Sequence, residues 1–181
     1  MVDGQYDVTS FKTMPPTYHS TYSGIGGLLC PWYQGISASS DVITLYGTNQ
    51  VSCNEIEVNH KFYFHAPYSG TYGLYFPAPD DRAFLWVGST AYSGWTEDNV
   101  VTSATYGTGK QMFMFSAVAG SYTPIRVNWG NRNDAGHFDL AIYAPDGSTL
   151  LSSNTPYSST VVQYSCDGVT APPFPAWGSE T

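Results

Sequence analysis

Short apolar runs fill the middle of this chain, broken at close intervals by Gly, Pro, Asp and Ser. The runs at 60–67 (HKFYFHAP), 71–79 (TYGLYFPAP), 82–88 (RAFLWVG), 111–118 (QMFMFSAV), 122–130 (YTPIRVNWG), 137–145 (HFDLAIYAP) and 160–166 (TVVQYSC) are aromatic or β-branched, and each predicts a strand. Within 137–145, Phe138, Leu140 and Ile142 alternate with His137, Asp139 and Ala141, which points one set inward and the other outward. The string APDGST (144–149) predicts a hairpin turn, because Asp146-Gly147 accommodates the positive φ that tight turns require. No long stretch carries apolar residues at helical spacing. Many short strands in this order predict an all-β fold, a β-sandwich or jelly-roll-like barrel.

The flanks are less regular. Residues 1–59 are turn-rich and predict one or two short strands wrapped around the sandwich. Residues 171–181 form a Pro-rich tail, set off from a single domain over 1–170. The tail has two readings: an extended exit towards a linker or stalk, or a segment packed on the domain through Phe174 and Trp177. The strings APYSGTYGLYF (66–76) and AVAGSYTPIRV (117–127) echo each other as two similar strand entries rather than as a repeat.

Composition narrows the class. A chain of 181 residues with 42% hydrophobic and 16% aromatic content suits one domain with a real core. The formal charge of −8, with six Lys and Arg, argues against nucleic acid and anionic membrane surfaces, which select basic faces. A neutral ligand such as a sugar stays open. No apolar run is long enough to cross a membrane, so no membrane insertion is expected. The first ten residues lack a charged start followed by an apolar core. Cys30, Cys53 and Cys166 lie far apart and show no zinc-ligand spacing.

Catalytic patterns are missing. There is no G-x-S-x-G elbow, and His19, His60, His65 and His137 sit on separate segments. GTGKQ (107–111) lacks the upstream Gly and the following Ser or Thr of a phosphate loop. The adjacent pairs Asp80-Asp81 and Glu97-Asp98 do not supply the separated carboxyls of a glycosidase. No enzyme activity is expected.

Asp80-Asp81, directly before the run RAFLWVG, remains unexplained by these patterns. Neighbours in an extended strand point to opposite faces, but in a loop their carboxylates can converge, above all across a cis peptide bond. A hard cation would cancel their repulsion, and calcium suits a site rich in oxygen and poor in Cys and His. Alone, the two residues read as an Asp-rich turn after Pro79. A second loop, NRNDAG (131–136), adds the Asn131 carboxamide and turn carbonyls. Together the loops leave part of a shell of six to eight oxygens for water or a ligand's hydroxyls. Trp95 and Trp129 are each read as core residues rather than as sugar platforms.

The strings APYSGTYGLYF, DDRAFLWVG, AYSGWTEDN, AGSYTPIRVNWGN and APDGSTL, in that order over roughly residues 58–151, resemble the PA14-like fungal adhesin domains. SGWT (93–96) is similar to the GLEYA group, to which the yeast flocculins and epithelial adhesins are related. The literal string GLEYA and the disulfide-rich insertion of flocculins are absent. The resemblance implies a PA14-like β-sandwich that acts as a calcium-dependent carbohydrate-binding adhesin domain for terminal hexoses of cell-surface glycans.

In the residues of this chain, the resemblance implies calcium held by cis-linked Asp80 and Asp81, by Asn131, and by the carbonyls of Asn133 and Ala135. It implies sugar contacts from Asp80, Asp81, Arg132, Asn133 and Asp134. It also implies a disulfide between the terminal regions, which here would be Cys30–Cys166 with Cys53 free, although three cysteines allow three pairings. The expected setting is extracellular: a monomeric domain at the tip of a wall-anchored stalk, meeting glycans on host or neighbouring cells. The alternative is a cell-wall interaction domain that binds a protein partner, with structural calcium or none.

Overall fold

A computed structural model describes residues 8–22, 25, 27–30, 42–46, 49–77, 79–108, 110–132, 135–154 and 157–180. The N-terminal part contributes helix α1 (Val8–Thr13) and strands β1 (Leu28–Cys30), β2 (Val42–Leu45) and β3 (Asn49–Ser52). Then come β4 (Ile56–His65), β5 (Gly70–Phe76), β6 (Arg82–Val87), the short helix α2 (Ser89–Tyr92), β7 (Thr102–Thr105), β8 (Gln111–Ala117) and β9 (Tyr122–Asn131). The chain closes with β10 (Gly136–Phe138), β11 (Ala141–Tyr143), β12 (Thr149–Leu151) and β13 (Val161–Val162).

Two antiparallel sheets face each other. One has five strands in the order β13-β4-β9-β6-β7, the other four in the order β12-β11-β5-β8. The fold is the all-β sandwich that the strand pattern predicts. Its spine is the long pairing of β4 with β9, from Ile56↔Asn131 to His65↔Tyr122. Alternation along these strands sends Phe62 and Phe64, and Ile125, Val127 and Trp129, into the core, where they meet Tyr72, Leu74 and Phe76 from β5. Burying each such side chain contributes about 1.5–3 kcal/mol.

The outer face of the five-stranded sheet is also covered, which the strand pattern alone did not predict. Phe84 and Trp86 of β6 pack there with Val8, Ala91 and Trp95, edged by Phe11, Val100 and Trp177. Trp95 and Trp129 are both fully buried, as expected of core residues. The tail takes the packed one of its two readings. Phe174 meets Tyr63 and Tyr92, and Trp177 meets Phe11 and Trp95. The Glu180 carboxylate accepts hydrogen bonds from Arg126 and Lys61, both at 2.8 Å, and from the Trp95 indole N–H.

Other expectations shift in detail. The predicted strand 137–145 is two strands, interrupted at Asp139 and Leu140. β10 pairs with β1 in a separate ribbon, whereas β11 joins β5 in the four-stranded sheet. The inward set Phe138, Leu140 and Ile142 stays buried across the break. The run 160–166 keeps only Val161 and Val162 as strand, and the described residues of 1–59 hold three short strands before β4 rather than one or two.

The disulfide expectation is corrected. Cys30 bonds to Cys53, with Cα atoms 5.7 Å apart, and not to Cys166. The reason is local. Cys166 is exposed in a turn that Asp167 closes by accepting from the backbone N–H groups of Val169 and Thr170, and this turn keeps it on the surface.

Candidate functional site

Asp80, Asp81 and Asn131 lie at one end of the five-stranded sheet. The register Arg82↔Gly130 between β6 and β9, carried back one residue, sets Asp81 beside Asn131. The Asp81 amide donates to the Gly130 carbonyl (3.2 Å), and the Arg132 amide donates to Asp81 Oδ2 (2.7 Å). Asp80 forms a bridge with His137 of β10, each amide donating to the other's carbonyl at 2.9 Å. The Trp129 indole N–H also donates to the Asp80 carbonyl (2.8 Å). The peptide bond between Asp80 and Asp81 is cis.

The two carboxyl groups lie against each other. Burial, then the negative charge of Asp81, then a hydrogen bond between the two side chains hold the Asp80 carboxyl above the usual carboxylate range, and His137 acts in the opposite direction.

Asn131 is fully buried at the end of β9, and its Nδ2 donates to the Cys53 carbonyl (2.9 Å). That bond fixes the amide plane and turns the oxygen end towards Gly136. A Cβ built on Gly136 would lie 2.3 Å from Asn131 Oδ1, so only glycine leaves this oxygen its place. The disulfide braces the same corner: Cys30 sits opposite Gly136 in the β1–β10 pair, and Cys53 carries the carbonyl that holds Asn131.

Strand pairing therefore brings three residues with oxygen-bearing side chains, Asp80, Asp81 and Asn131, to one corner. No three His, Cys, Asp or Glu side chains come together as a metal cluster among the described residues. Two carboxylates and a carboxamide suit a hard cation with an incomplete protein shell better than a soft one. Arg132 is exposed beside Asp81, and Ala135 is half-buried just before β10. Asn133 and Asp134 lie outside the described residues.

Several neighbours gave no signal of their own in the sequence. Gly136 stood in the quoted loop only as a turn former, and His137 as one of four scattered histidines. Tyr106, 74% exposed, is tied to the pair through its amide, which donates to the Asp81 carbonyl (2.7 Å). It follows a strand too short and polar to stand out.

Residues 56–144, a little under half of the chain, match the family model of the GLEYA domain. The resemblance read from the sequence strings holds over that stretch. The Schizosaccharomyces pombe protein that bears the name cell agglutination protein pfl4 is 28% identical over 182 residues, which cover 88% of this chain and 29% of that protein. A second protein of that organism with the agglutination name, SPAPB2C8.01, is 33% identical over 94 residues, 48% of this chain and 8% of that one. The chain thus spans less than a third of either. Among solved structures, the Candida glabrata Epithelial Adhesin 6 A domain, crystallised with Galβ1-3GlcNAc, aligns with a TM-score of 0.59 at 21% identity, covering 75% of this chain and 66% of that one. The Epithelial Adhesin 9 A domain, with Galβ1-4GlcNAc, gives 0.56 at 18% identity, covering 74% and 62%. These likenesses establish a shared fold.

Proposed function

On the premise of the GLEYA match, we propose that this chain is a calcium-dependent carbohydrate-binding adhesin domain that recognises terminal hexoses of cell-surface glycans. The observation that carries the reading is the corner where strand pairing sets Asp80 and Asp81, joined by a cis bond, beside the braced Asn131. Asp80, Asp81 and Asn131 would hold the ion, with carbonyls of Asn133 and Ala135 completing the protein's share. A bound calcium would supply positive charge and open coordination positions for a pair of sugar hydroxyls.

The chain's own residues do the rest. The Cys53 carbonyl orients Asn131, the Arg132 amide orients Asp81, and the His137 bridge sets Asp80 in place. Arg132, Asn133 and Asp134 would contact the sugar and set hexose preference. The relatives' agglutination names and the glycans held by the structural neighbours support an extracellular, cell-wall setting with glycans of host or neighbouring cells as partners. A monomeric domain on a stalk fits that setting. Single-site affinity between millimolar and micromolar is expected, raised in the cell by many copies.

The test is a glycan array in calcium-containing buffer with the native chain, Asp81→Ala and Asn131→Ala, each checked for folding by circular dichroism. Hexose-terminated glycans should bind the native chain and neither variant. Folded variants that bind as well as the native chain would defeat the proposal. A folded native chain that binds no glycan yet sustains adhesion would favour the protein-partner alternative.

A further inference from the structure

An edge strand leaves a row of backbone N–H and C=O groups without a partner strand, which makes it a template for pairing with another chain. The two large sheets have four edges between them. Three are short: β13 has two residues, β12 three and β7 four. Strands this short offer little for a second chain to pair with. The fourth edge is β8, seven residues long. It pairs with β5 without a break from Gly70↔Ala117 to Phe76↔Gln111, and among the described residues no strand lies against its other side.

β8 carries none of the usual protections of a long edge. Its sequence QMFMFSA has no Pro and no charge of either sign, and its pairing with β5 shows no bulge. Segments of six or seven residues with high strand propensity, no charge and no Pro are those that pair with their own kind. The chain as a whole has a formal charge of −8, yet two copies that meet along β8 set no like charges of these strands against each other. The faces match as well. A two-fold axis through Met114 places it opposite the partner's Met114, Met112 opposite the partner's Ser116, and Phe113 opposite the partner's Phe115. Met112 and Met114 are 49% and 54% exposed on the outer face, so thioether meets thioether. Phe113 and Phe115 pack against the core from the other face and remain only half-buried at the open edge, where a second strand would cover them.

We propose that β8 is a self-association edge, through which two copies of this chain pair antiparallel and join their four-stranded sheets into one of eight strands. The pairing uses the long edge of each copy and leaves only short edges outside, so the assembly closes at two instead of growing into a fibre. A contact along one strand is small beside the roughly 1,600 Å² of a standard interface. The pair is therefore weak: dilute copies stay monomeric, and copies crowded on one surface pair through their high effective concentration. β8 contributes no residue to the Asp80–Asp81 corner, so the inference stands apart from the lectin reading.

Sedimentation velocity tests it, in EDTA and without sugar, so that the result does not depend on the lectin reading. From about 1 μM to 1 mM, the range in which so small an interface pairs, the native chain should pass from monomer towards dimer with no larger species. Met114→Lys sets two ammonium groups directly opposite each other and should weaken the association about tenfold or more, with an unchanged circular dichroism spectrum. A cross-linking arm uses a Cys166→Ser background. Opposite residues of an antiparallel pair lie about 4.5–5.5 Å apart, within disulfide reach, so Met114→Cys should give a disulfide-linked dimer on mild oxidation. Thr71→Cys, exposed on the same face one strand further in, should not. A native chain that stays monomeric throughout, a folded Met114→Lys variant that associates as tightly as the native chain, or a Met114→Cys variant that cross-links no faster than Thr71→Cys would each overturn the proposal.

Discussion

Glu180→Ala should destabilise the domain severely, although the residue lies in a Pro-rich tail outside every strand. Glu180 and Arg126 are both 0% exposed and paired at 2.8 Å. The rest of the Arg126 guanidinium is also committed: Nε donates to the Ala91 carbonyl (2.9 Å) and Nη1 to Asn59 Oδ1 (2.8 Å), while its plane lies 4.6 Å from the Trp95 ring centre. Removing the carboxylate strands a buried cation that cannot shed its proton. Breaking one partner of such a pair costs about 3–5 kcal/mol. For a domain of this size that corresponds to roughly 6–20 °C in Tm. Urea unfolding followed by tryptophan fluorescence measures the loss. The double variant Arg126→Met with Glu180→Leu should recover much of it, because apolar groups of similar volume replace a buried pair at little cost. A Glu180→Ala loss below about 0.5 kcal/mol, the range of ordinary surface substitutions, would refute the claim that the tail is part of the folded domain.

Three further predictions concern other parts of the molecule. Burial lowers the His60 pKa to about 4 from 6.5, so the folded state disfavours the imidazolium that the unfolded chain accepts. This contribution to stability is complete above pH 6.5 and is lost as pH falls from there towards 4. Lowering the pH from about 7.5 to 5 should cost about 2 kcal/mol in urea unfolding, and His60→Gln should flatten that drop. Removing the Cys30–Cys53 bond by Cys30→Ser should cost about 3 kcal/mol for its sequence separation of 23, whereas Cys166→Ser should change stability by less than about 0.5 kcal/mol. Peptide mass mapping of the oxidised protein should find Cys30 joined to Cys53, and a Cys30–Cys166 peptide would contradict the fold. Gly136→Ala pushes a methyl group onto the buried Asn131 carboxamide and should weaken calcium affinity about tenfold or more by calorimetry, and the apo protein should also lose about 1–3 kcal/mol of stability because Asn131 must shift.

The strands were legible because each signals itself locally. Phe62 and Phe64, or Ile125, Val127 and Trp129, alternate in a way only a half-buried strand explains. Where the structure departed from that reading, non-local partners decided. Arg126 and Asn128 look like solvent-facing positions of β9, yet both are buried because the tail and α2 cover that face. No local pattern marks a residue 54 positions away as the partner of an arginine. The break in 137–145 has the same origin, since β10 and β11 join different sheets while keeping one inward face. The cysteine pairing followed a resemblance whose terminal tie this chain does not share.

At the candidate site, the Asp80-Asp81 pair and Asn131 stood out through residue type and loop context. Their supports, the Cys53 carbonyl, the Gly136 cradle and the His137 bridge, depend on which strands lie side by side. A sequence shows donors more readily than the backbone groups that aim them.

The most direct test of the central claim is glycan binding measured before and after calcium is stripped with EDTA, then restored. The account predicts binding in calcium, loss in EDTA and full recovery when calcium is returned. Glycan binding that persists unchanged in EDTA would contradict it.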